Sequence, residues 1–347
     1  MDLLESLLAN VSILLDKDYY PVLIILAFLA LAFSKHRRVL IVSFLVVILL
    51  TATLKTFYQE DRPCKLFPAL VDCNDYGFPS GHTITSILLP AATLGSWAMF
   101  MFLPLAFLIA FSRIYVGVHT LNQVVAGVSL GLFVYFALER LHEGLEPIRK
   151  KARKGMALIE GGRQVIHILA GLIVICLLLW FGLDESGLAS VEMLLLGFLI
   201  SGMMLINMRM LGMWVGPFGK VLDMFDRKGD IFPGRGPLMY LVGLLLIMAY
   251  SKDFNFMLAA ISIFSLGDGL STLVGTRYGS HKLSWNPGKS WEGMAAFFIS
   301  GSVAAYLFIG PIALFYSGIL ALVETLDFHI DDNLLIPFFA VVIHTFL

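Results

Sequence analysis

Long apolar runs alternate with short polar segments along almost the whole chain. Several runs are shorter than the ~20 residues that a straight crossing of a bilayer needs, so we expect some helices to be broken or to lie inside a bundle. The pattern predicts an all-α, polytopic membrane protein with roughly twelve spans. The segment 2–15 is short and includes Glu5, which favours a helix at the membrane interface over a thirteenth span. The predicted spans are 20–34, 39–54, 81–97, 99–115, 121–138, 165–182, 191–208, 238–250, 254–266, 293–310, 311–326 and 334–347.

The composition of the 347 residues excludes a water-soluble protein. Hydrophobic residues make up 59% of the chain, charged residues only 14%, and the mean hydropathy is +0.86. The first residues carry no basic segment, so we expect no cleavable signal peptide, and the first span would act as its own insertion signal.

The distribution of positive charge predicts the orientation. Four alternate loops contain 18 of the 24 Lys and Arg residues: 35–38, 140–163, 209–235 and 277–289. Because basic residues concentrate in cytoplasmic loops, we predict that these loops are cytoplasmic and that both termini lie outside. The remaining six are Lys17, Lys55, Arg62, Lys65, Arg113 and Lys252.

A charged stretch near the middle of the chain predicts two fused transmembrane helical bundles. The basic segment 141–160 would link a membrane domain at 1–140 to a second one at 161–347. This linker either lies along the anionic cytoplasmic leaflet or is a solvated connector.

Three polar clusters mark the predicted outer ends of the first spans. They are Lys55 with Arg62-Pro63, then Pro79-Ser80-Gly81-His82, then Ser112-Arg113 with His119. In this order and spacing they resemble the lipid phosphatases of the type 2 phosphatidic acid phosphatase superfamily. The resemblance covers residues 55–123 in motif and the first ~140 residues in span layout.

The residue types of this first cluster suit phosphoryl transfer. Negative charge spreads over three oxygens in the transition state, so several fixed donors are needed. Lys55, Arg62 and Arg113 would supply positive charge, and Ser80 and the Gly81 amide would donate further hydrogen bonds.

The resemblance also implies the roles of two histidines. His119 would attack phosphorus and form a phosphohistidine, His82 would protonate the leaving oxygen, and no metal would be needed. The family's third motif ends in Asp four residues after the nucleophile, whereas this chain has Gln123. Gln123 shares a helix face with His119 and would fix its tautomer, but it adds no negative charge. Either an active phosphatase or a phosphate-binding, vestigial site fits.

The sequence does not decide whether the two cysteines of the first predicted domain are joined. Cys64 and Cys73 fall in one predicted outer loop, where either a disulfide or two free thiols are expected. Cys176 lies in a predicted span and is expected to be a small apolar filler.

A second series of polar clusters falls in or beside the predicted cytoplasmic loops. Its motifs Gly-Asp-Gly from residue 267, Lys-Ser-x-Glu-Gly from 289 and Asp-Asn-x-x-Ile-Pro from 332 resemble the CTP-dependent polyprenol kinases, which include dolichol, phytol and CTP-using diacylglycerol kinases. These are related to phosphatidate cytidylyltransferases, but the Lys-Arg and Lys-Asp endings of that signature are missing, which favours phosphoryl transfer. Candidates for binding the cofactor are Arg163, His167, Arg227, Gly234, Gly236, Gly267, Asp268, Gly269, Arg277, Lys282, Lys289, Ser290 and Glu292.

A nucleoside triphosphate requires oxygen ligands for Mg²⁺ and cations for its phosphates. Arg277, Lys282 and Lys289 would hold the triphosphate of CTP. Glu292 would orient Lys289 or act as the base toward the alcohol, and Glu160 begins a helical face that also includes Arg163 and His167. The metal candidates for Mg²⁺ are Asp268, Asp331, Asp332 and Asn333.

The resemblances together predict a bifunctional enzyme of polyprenyl or dolichyl phosphate metabolism. It would dephosphorylate a polyprenyl phosphate or diphosphate at an extracytoplasmic site and phosphorylate a polyprenol from CTP at a cytoplasmic site, with no nucleic acid polymer as partner. One alternative pairs a phosphatidate phosphatase with a diacylglycerol kinase or a cytidylyltransferase. Another is a lipid-phosphate flippase, although the ionisable residues gather at span ends rather than at mid-membrane.

Overall fold

A computed structural model of the protein describes residues 9–14, 19–71, 73, 75–144, 157–182, 184–219 and 231–346, with side chains from residue 161 onward in the helix that begins at 157. These residues are nearly all helical, which confirms the predicted all-α fold. A short helical segment at 9–14 precedes the longer helices. These are α1 (Tyr19–Phe33), α2 (Arg37–Tyr58), α3 (Gly81–Ser86), α4 (Leu88–Ala92), α5 (Met99–Tyr115), α6 (Leu121–Gly144), α7 (Ala157–Phe181), α8 (Glu185–Met210), α9 (Arg235–Tyr250), α10 (Phe254–Ser262), α11 (Asp268–Tyr278), α12 (Trp291–Ile309), α13 (Ile312–Thr325) and α14 (Asp332–Phe346).

Within the described residues, six helical stretches are long and apolar enough to cross a membrane. Shorter apolar helices accompany them, so the protein is a multi-pass membrane protein, while the predicted count of about twelve spans is not confirmed. The six are Arg37–Tyr58, Leu121–Gly144, Gly161–Phe181, Glu185–Met210, Phe254–Tyr278 and Trp291–Ile309.

The chain divides into two compact units. One comprises Met1–His142 with Leu199–Gly219, and the other comprises Glu143–Phe198 with Lys220–Leu347. Most of the predicted linker, residues 145–156, lies outside the described residues. The linker and the domain limits predicted from the sequence therefore stay predictions.

The predicted span 81–97 is broken in the first unit. It forms the short helices α3 and α4, followed by a turn. Pro90 explains the break, because proline has no N–H to donate and its ring clashes with the carbonyl four residues earlier, at Ser86.

Helix α6 is the most buried of the long helices in the first unit, and two glycines bring it close to α3. A Cβ at Gly127 would lie 2.9 Å from the Ser80 carbonyl oxygen, and one at Gly131 would lie 2.5 Å from Ile87 Cγ2. Small residues four apart allow such close approach of membrane helices. This contact places the start of α3 against the start of α6.

The second unit contains a π-helical turn, Ile263–Gly267, between α10 and α11. The helix continues through this turn from Phe254 to Tyr278 rather than ending near residue 266 as predicted. Ser300 on α12 donates a hydrogen bond to the Leu266 carbonyl, at 3.4 Å. Single π-turns inside α-helices are frequent at functional sites, and this one leads directly into Asp268.

Candidate functional sites

Two backbone hydrogen bonds organise the second and third predicted phosphatase motifs. The Ser80 N–H donates to the Gln123 carbonyl at 3.0 Å, which fixes the start of α3 beside α6. The His119 N–H donates to the Arg113 carbonyl at 3.2 Å, which folds the end of α5 onto the loop before α6. Residues that are far apart in the chain thus form one cluster in the first unit.

His119 is buried, with only one ring nitrogen engaged. Its Nδ1 lies 2.9 Å from Gln123 Oε1, while the buried Nε2 has no hydrogen-bond partner among the described residues. Burial, followed by the positive charge of Arg62, lowers the pKa of His119 to about 3. The imidazole is therefore neutral near pH 7, and Nε2 offers the lone pair that a nucleophile requires.

Three cations belong to this cluster. Lys55 and Arg62 both contact the carboxylate of Asp75, which is half exposed. Burial raises the pKa of Asp75, but the hydrogen bond from Lys55 and the charge of Arg62 outweigh it and hold that pKa below its usual value. Arg113 is fully buried and donates to Ser112 Oγ and to the Ser12 carbonyl, at 3.1 and 3.0 Å.

His82 stacks against Tyr19 of α1, with 3.9 Å between ring centroids. The Tyr19 hydroxyl donates to the His82 carbonyl at 2.7 Å. The His82 ring lies within electrostatic range of His119 and of the three cations. Ser80 is buried and its Oγ accepts from Thr83.

The outer-loop cysteines are joined. Cys64 and Cys73 form a disulfide, with 6.3 Å between their Cα atoms. Of the two expectations for this pair, the structure has the bonded form. Asp75, which contacts Lys55 and Arg62, lies two residues after Cys73.

The second unit gathers three carboxylates. One oxygen from each of Asp268, Glu324 and Asp332 lies within 4.8 Å of the others. Asp268 and Asp332 were predicted as metal ligands, and sequence reasoning missed Glu324. Its signal was a single acidic residue near the end of an apolar run, which is unusual inside a membrane segment. The set suits Mg²⁺, a hard cation that prefers carboxylate oxygens.

Lys289 reaches these carboxylates through the loop 279–290. The loop folds back on itself by the pairing of Lys282 with Ser290, and Asn286 donates to the Thr325 carbonyl at 3.0 Å. Lys289 Nζ contacts Glu324 and lies 2.9 Å from Asp332 Oδ2. Burial lowers the pKa of Lys289, but the charges of Asp332 and Glu324 outweigh it, so that pKa stays above its usual value.

The other two predicted metal ligands lie beside the carboxylate group. Asp331 Oδ2 is 4.0 Å from Arg235 Nε, and its Oδ1 accepts from the Asn333 N–H at 3.0 Å. The buried Asn333 Oδ1 has no hydrogen-bond partner in the described part of the chain. On the opposite side, His167 Nε2 lies 3.7 Å from Asp268 Oδ2.

Several residues predicted to bind the cofactor have local structural roles: glycines that allow close packing or a positive φ, and Ser290, which caps a helix. A Cβ at Gly267 would meet Phe297 at 3.2 Å and one at Gly269 would meet Ile168 at 2.5 Å, so both positions need glycine for packing. Gly234 has a φ of +72° at the start of α9, near Gly236. Ser290 caps α12 by accepting from the Gly293 N–H.

The remaining predicted residues lie outside the carboxylate group. Glu292 accepts hydrogen bonds from Ser280 and His281. Arg277 and Lys282 are exposed, and Arg277 lies over the Tyr278 ring. Arg163 lies on α7, four residues before His167. Arg227 and the side chain of Glu160 lie outside the described residues.

Comparisons with known proteins divide the chain in the same way as its motifs. Residues 38–145 match the model of the PAP2 superfamily. A probable phytol kinase 2, chloroplastic, from Oryza sativa subsp. japonica is 29% identical over 62% of this chain and 71% of its own length. Such kinase homologues match over the rest of the chain. Both resemblances inferred from the sequence are thereby confirmed.

Two further matches are partial. An uncharacterized protein of Methanocaldococcus jannaschii is 36% identical over 30% of this chain, and the match spans only 55% of that relative's length. The crystal structure of a transmembrane PAP2 type phosphatidylglycerolphosphate phosphatase from Bacillus subtilis shares 22% identity over 43% of this chain and 81% of its own, with a TM-score of 0.35. A likeness that low carries no argument about function.

Proposed function

We propose that this protein is a bifunctional membrane enzyme of polyprenyl phosphate metabolism. The first unit would remove a phosphate from a lipid phosphate or diphosphate, and the second would phosphorylate a lipid alcohol of the polyprenol type from CTP. The observation that carries the kinase is the trio of Asp268, Glu324 and Asp332 with Lys289 in contact. The phytol kinase relative supports a prenol as the acceptor.

In the first unit, the lone pair of His119 Nε2 forms the nitrogen–phosphorus bond while the bond from phosphorus to the lipid oxygen breaks. His82 gives a proton to that leaving oxygen. Water then attacks phosphorus and gives a proton back to His82, while the nitrogen–phosphorus bond breaks, its electron pair returns to Nε2 and phosphate is released. Lys55, Arg62 and Arg113 stabilise the charge on the equatorial oxygens throughout.

In the second unit, Asp268, Glu324 and Asp332 would hold Mg²⁺, which would supply positive charge to stabilise the phosphates of the nucleotide. Lys289 would exchange a carboxylate contact for a phosphate oxygen. Glu292 would hold the turn at Ser280 and His281, and so keep the loop 279–290 in place. We further propose that this site is cytoplasmic and the phosphatase site extracytoplasmic, which the asymmetry of Lys and Arg supports.

A reciprocal assay on one purified preparation tests both halves. The protein is incubated with Mg²⁺ and CTP labelled at the γ-phosphate, with prenols or diacylglycerol as acceptors, and separately with prenyl phosphates or phosphatidate for phosphate release. We expect Asp268→Asn to abolish transfer and keep release, and His119→Ala to do the reverse, each by about 10³-fold or more because a central group is lost. Glu324→Gln should raise the Mg²⁺ concentration needed for half-maximal transfer.

Asp327→Asn is the matched control, because it removes an exposed carboxylate outside both clusters and should retain both activities. Equal transfer by Asp268→Asn would contradict the kinase. Incorporation of label from the α-phosphate of CTP would instead indicate nucleotidyl transfer. Phosphate release that persists in His119→Ala would remove the proposed nucleophile.

A further inference from the structure

The side-chain amide of Gln123 lies between His119 and a carboxylate that no motif includes. Gln123 is fully buried, its Oε1 is 2.9 Å from His119 Nδ1, and its Nε2 donates to Glu60 Oε1 at 2.8 Å. Glu60 follows the end of α2, between Lys55 and Arg62 in the sequence, and its carbonyl accepts from the Gly77 N–H. A Cβ at Gly77 would lie 2.6 Å from the Gln123 amide, so the amide is tightly enclosed.

The two acceptors determine how the amide is oriented. Gln123 Nε2 faces both the Glu60 carboxylate and the Asp61 carbonyl oxygen, the latter at 3.1 Å, and an amide oxygen there would be repelled by both. The amide oxygen must therefore face His119, where the Thr120 N–H also donates to it at 3.3 Å. Because that oxygen only accepts, His119 Nδ1 must carry the ring proton, which leaves the Nε2 lone pair for phosphorus.

We propose that Glu60 is a positioning residue of the phosphatase reaction, which acts on His119 through Gln123 and supplies the negative charge that the family's Asp supplies directly. This inference rests on the proposed phosphatase function. When Nε2 bonds to phosphorus the ring gains positive charge, and the Gln123 oxygen stabilises it. The Glu60 carboxylate, by accepting from the amide N–H, increases the electron density on that oxygen. No proton leaves Nδ1 in this arrangement.

The chain of hydrogen bonds from Glu60 through Gln123 to His119, here called the relay, predicts that restoring an acidic residue at position 123 slows the reaction. Gln123→Asp or Gln123→Glu should slow the phosphatase, because a second carboxylate would then lie against Glu60 without a proton between them. The doubly exchanged variant, Glu60→Gln with Gln123→Glu, places the carboxylate directly on His119 and an amide donor behind it. That variant should regain rate over both single variants.

The test is steady-state phosphate release by the full-length protein with a prenyl phosphate. We expect Glu60→Gln to lower kcat by about 10- to 100-fold with little change in KM, the usual cost of losing a partner behind a reacting group. Asp61→Asn, which removes the adjacent carboxylate that pairs with Lys65 but keeps the main chain, should have a much smaller effect. Circular dichroism and thermal unfolding of the same preparations report whether each variant is folded.

The proposal is overturned if Glu60→Gln costs no more than Asp61→Asn, or if the exchanged double variant is no faster than the single variants. If the wild-type protein releases no phosphate from any lipid, the proposed phosphatase function fails on its own. The relay is then decided by ¹⁵N NMR of histidine-labelled protein, with His119→Ala for assignment. The Nδ1–H tautomer of His119 supports the relay, and the Nε2–H tautomer overturns it.

Discussion

Asp75 places a carboxylate where the proposed phosphatase would bind a phosphate. It lies two residues after Cys73, which is joined to Cys64, and it contacts Lys55 and Arg62, two of the three cations of the first cluster. A carboxylate and a phosphate oxygen are bound by the same donors. The side chain therefore acts as an internal competitor that substrate must displace.

We expect Asp75→Asn to lower KM for a lipid phosphate by about 3- to 10-fold, because the two contacts with Lys55 and Arg62 lose their negative partner and are easier to break. The pKa of Asp75 is held below its usual value, so the carboxylate stays ionised, and the contact is lost only as pH falls through that lowered pKa. The difference in KM from wild type should thus be constant across the neutral and mildly acidic range. KM measured against pH checks this, and a difference that shrinks on mild acidification would contradict it.

At the scale of single residues, motif spacing predicted the candidate phosphate-handling residues but not the carboxylates that contact them. His82, Arg113 and His119 were all predicted from the sequence. Glu60 and Glu324 were not, because each contacts a partner that is 63 or 35 residues away in the chain, Gln123 and Lys289 respectively. No local pattern of residues reports such a contact.

Among the elements, the contact of α6 with α3 decides whether the first cluster assembles. The carbonyl of Ser80 would lie 2.9 Å, and Thr83 Cβ 3.1 Å, from a Cβ at Gly127. A larger residue at 127 must push α3 away, and α3 carries His82 toward His119. The apolar pattern predicted a helix here, but the close approach depends on facing surfaces that periodicity alone does not pair.

We expect Gly127→Val to lower phosphate release by about 10-fold or more, since a displacement near 1 Å can cost a hundredfold. CTP-dependent transfer should be retained, because the second unit does not contain this contact. Gly197→Val on α8 is the matched control, as no atom lies within 4 Å of a Cβ there. Equal loss in both variants, measured as release per folded protein, would contradict the role of this contact.

In the second unit, the sequence predicted the wrong end for the helix that contains the π-turn. A separate span ending near residue 266 was expected, because Gly267-Asp268-Gly269 reads as the end of a helix. The helix instead continues to Tyr278, with the wide turn accommodated by packing of Gly267 on Phe297 and by Ser300. Tertiary contacts outweighed the low helix propensity of glycine.

On the scale of the whole molecule, the proposed orientation puts the two proposed activities on opposite sides of a membrane. The loops around Lys252 and Ser284 flank the candidate span Phe254–Tyr278, and both residues are exposed. With Cys176→Ser as background, we expect Lys252→Cys to react with a membrane-impermeant maleimide from outside intact cells. Ser284→Cys should react only after permeabilisation, because its loop belongs to the basic side.

Labelling of both positions from the same side would show that this helix does not cross the membrane. Labelling in the reverse order would place the kinase-like loops outside, away from cytoplasmic CTP, and would contradict the proposed orientation. The disulfide between Cys64 and Cys73 keeps those cysteines from reacting.

The sequence by itself determined that this is a helical membrane protein with two groups of phosphate-handling residues. Both properties are local, because apolar runs and motif spacings involve residues that are near one another in the chain. Only the tertiary structure decided which carboxylates complete each group. Glu324 of α13 meets Asp268 of α11 and Asp332 of α14, the docked loop 279–290 brings Lys289 to them, and Glu60 reaches the histidine because Gln123 lies between them. Such contacts depend on how distant segments pack, which the order of residues along the chain does not display.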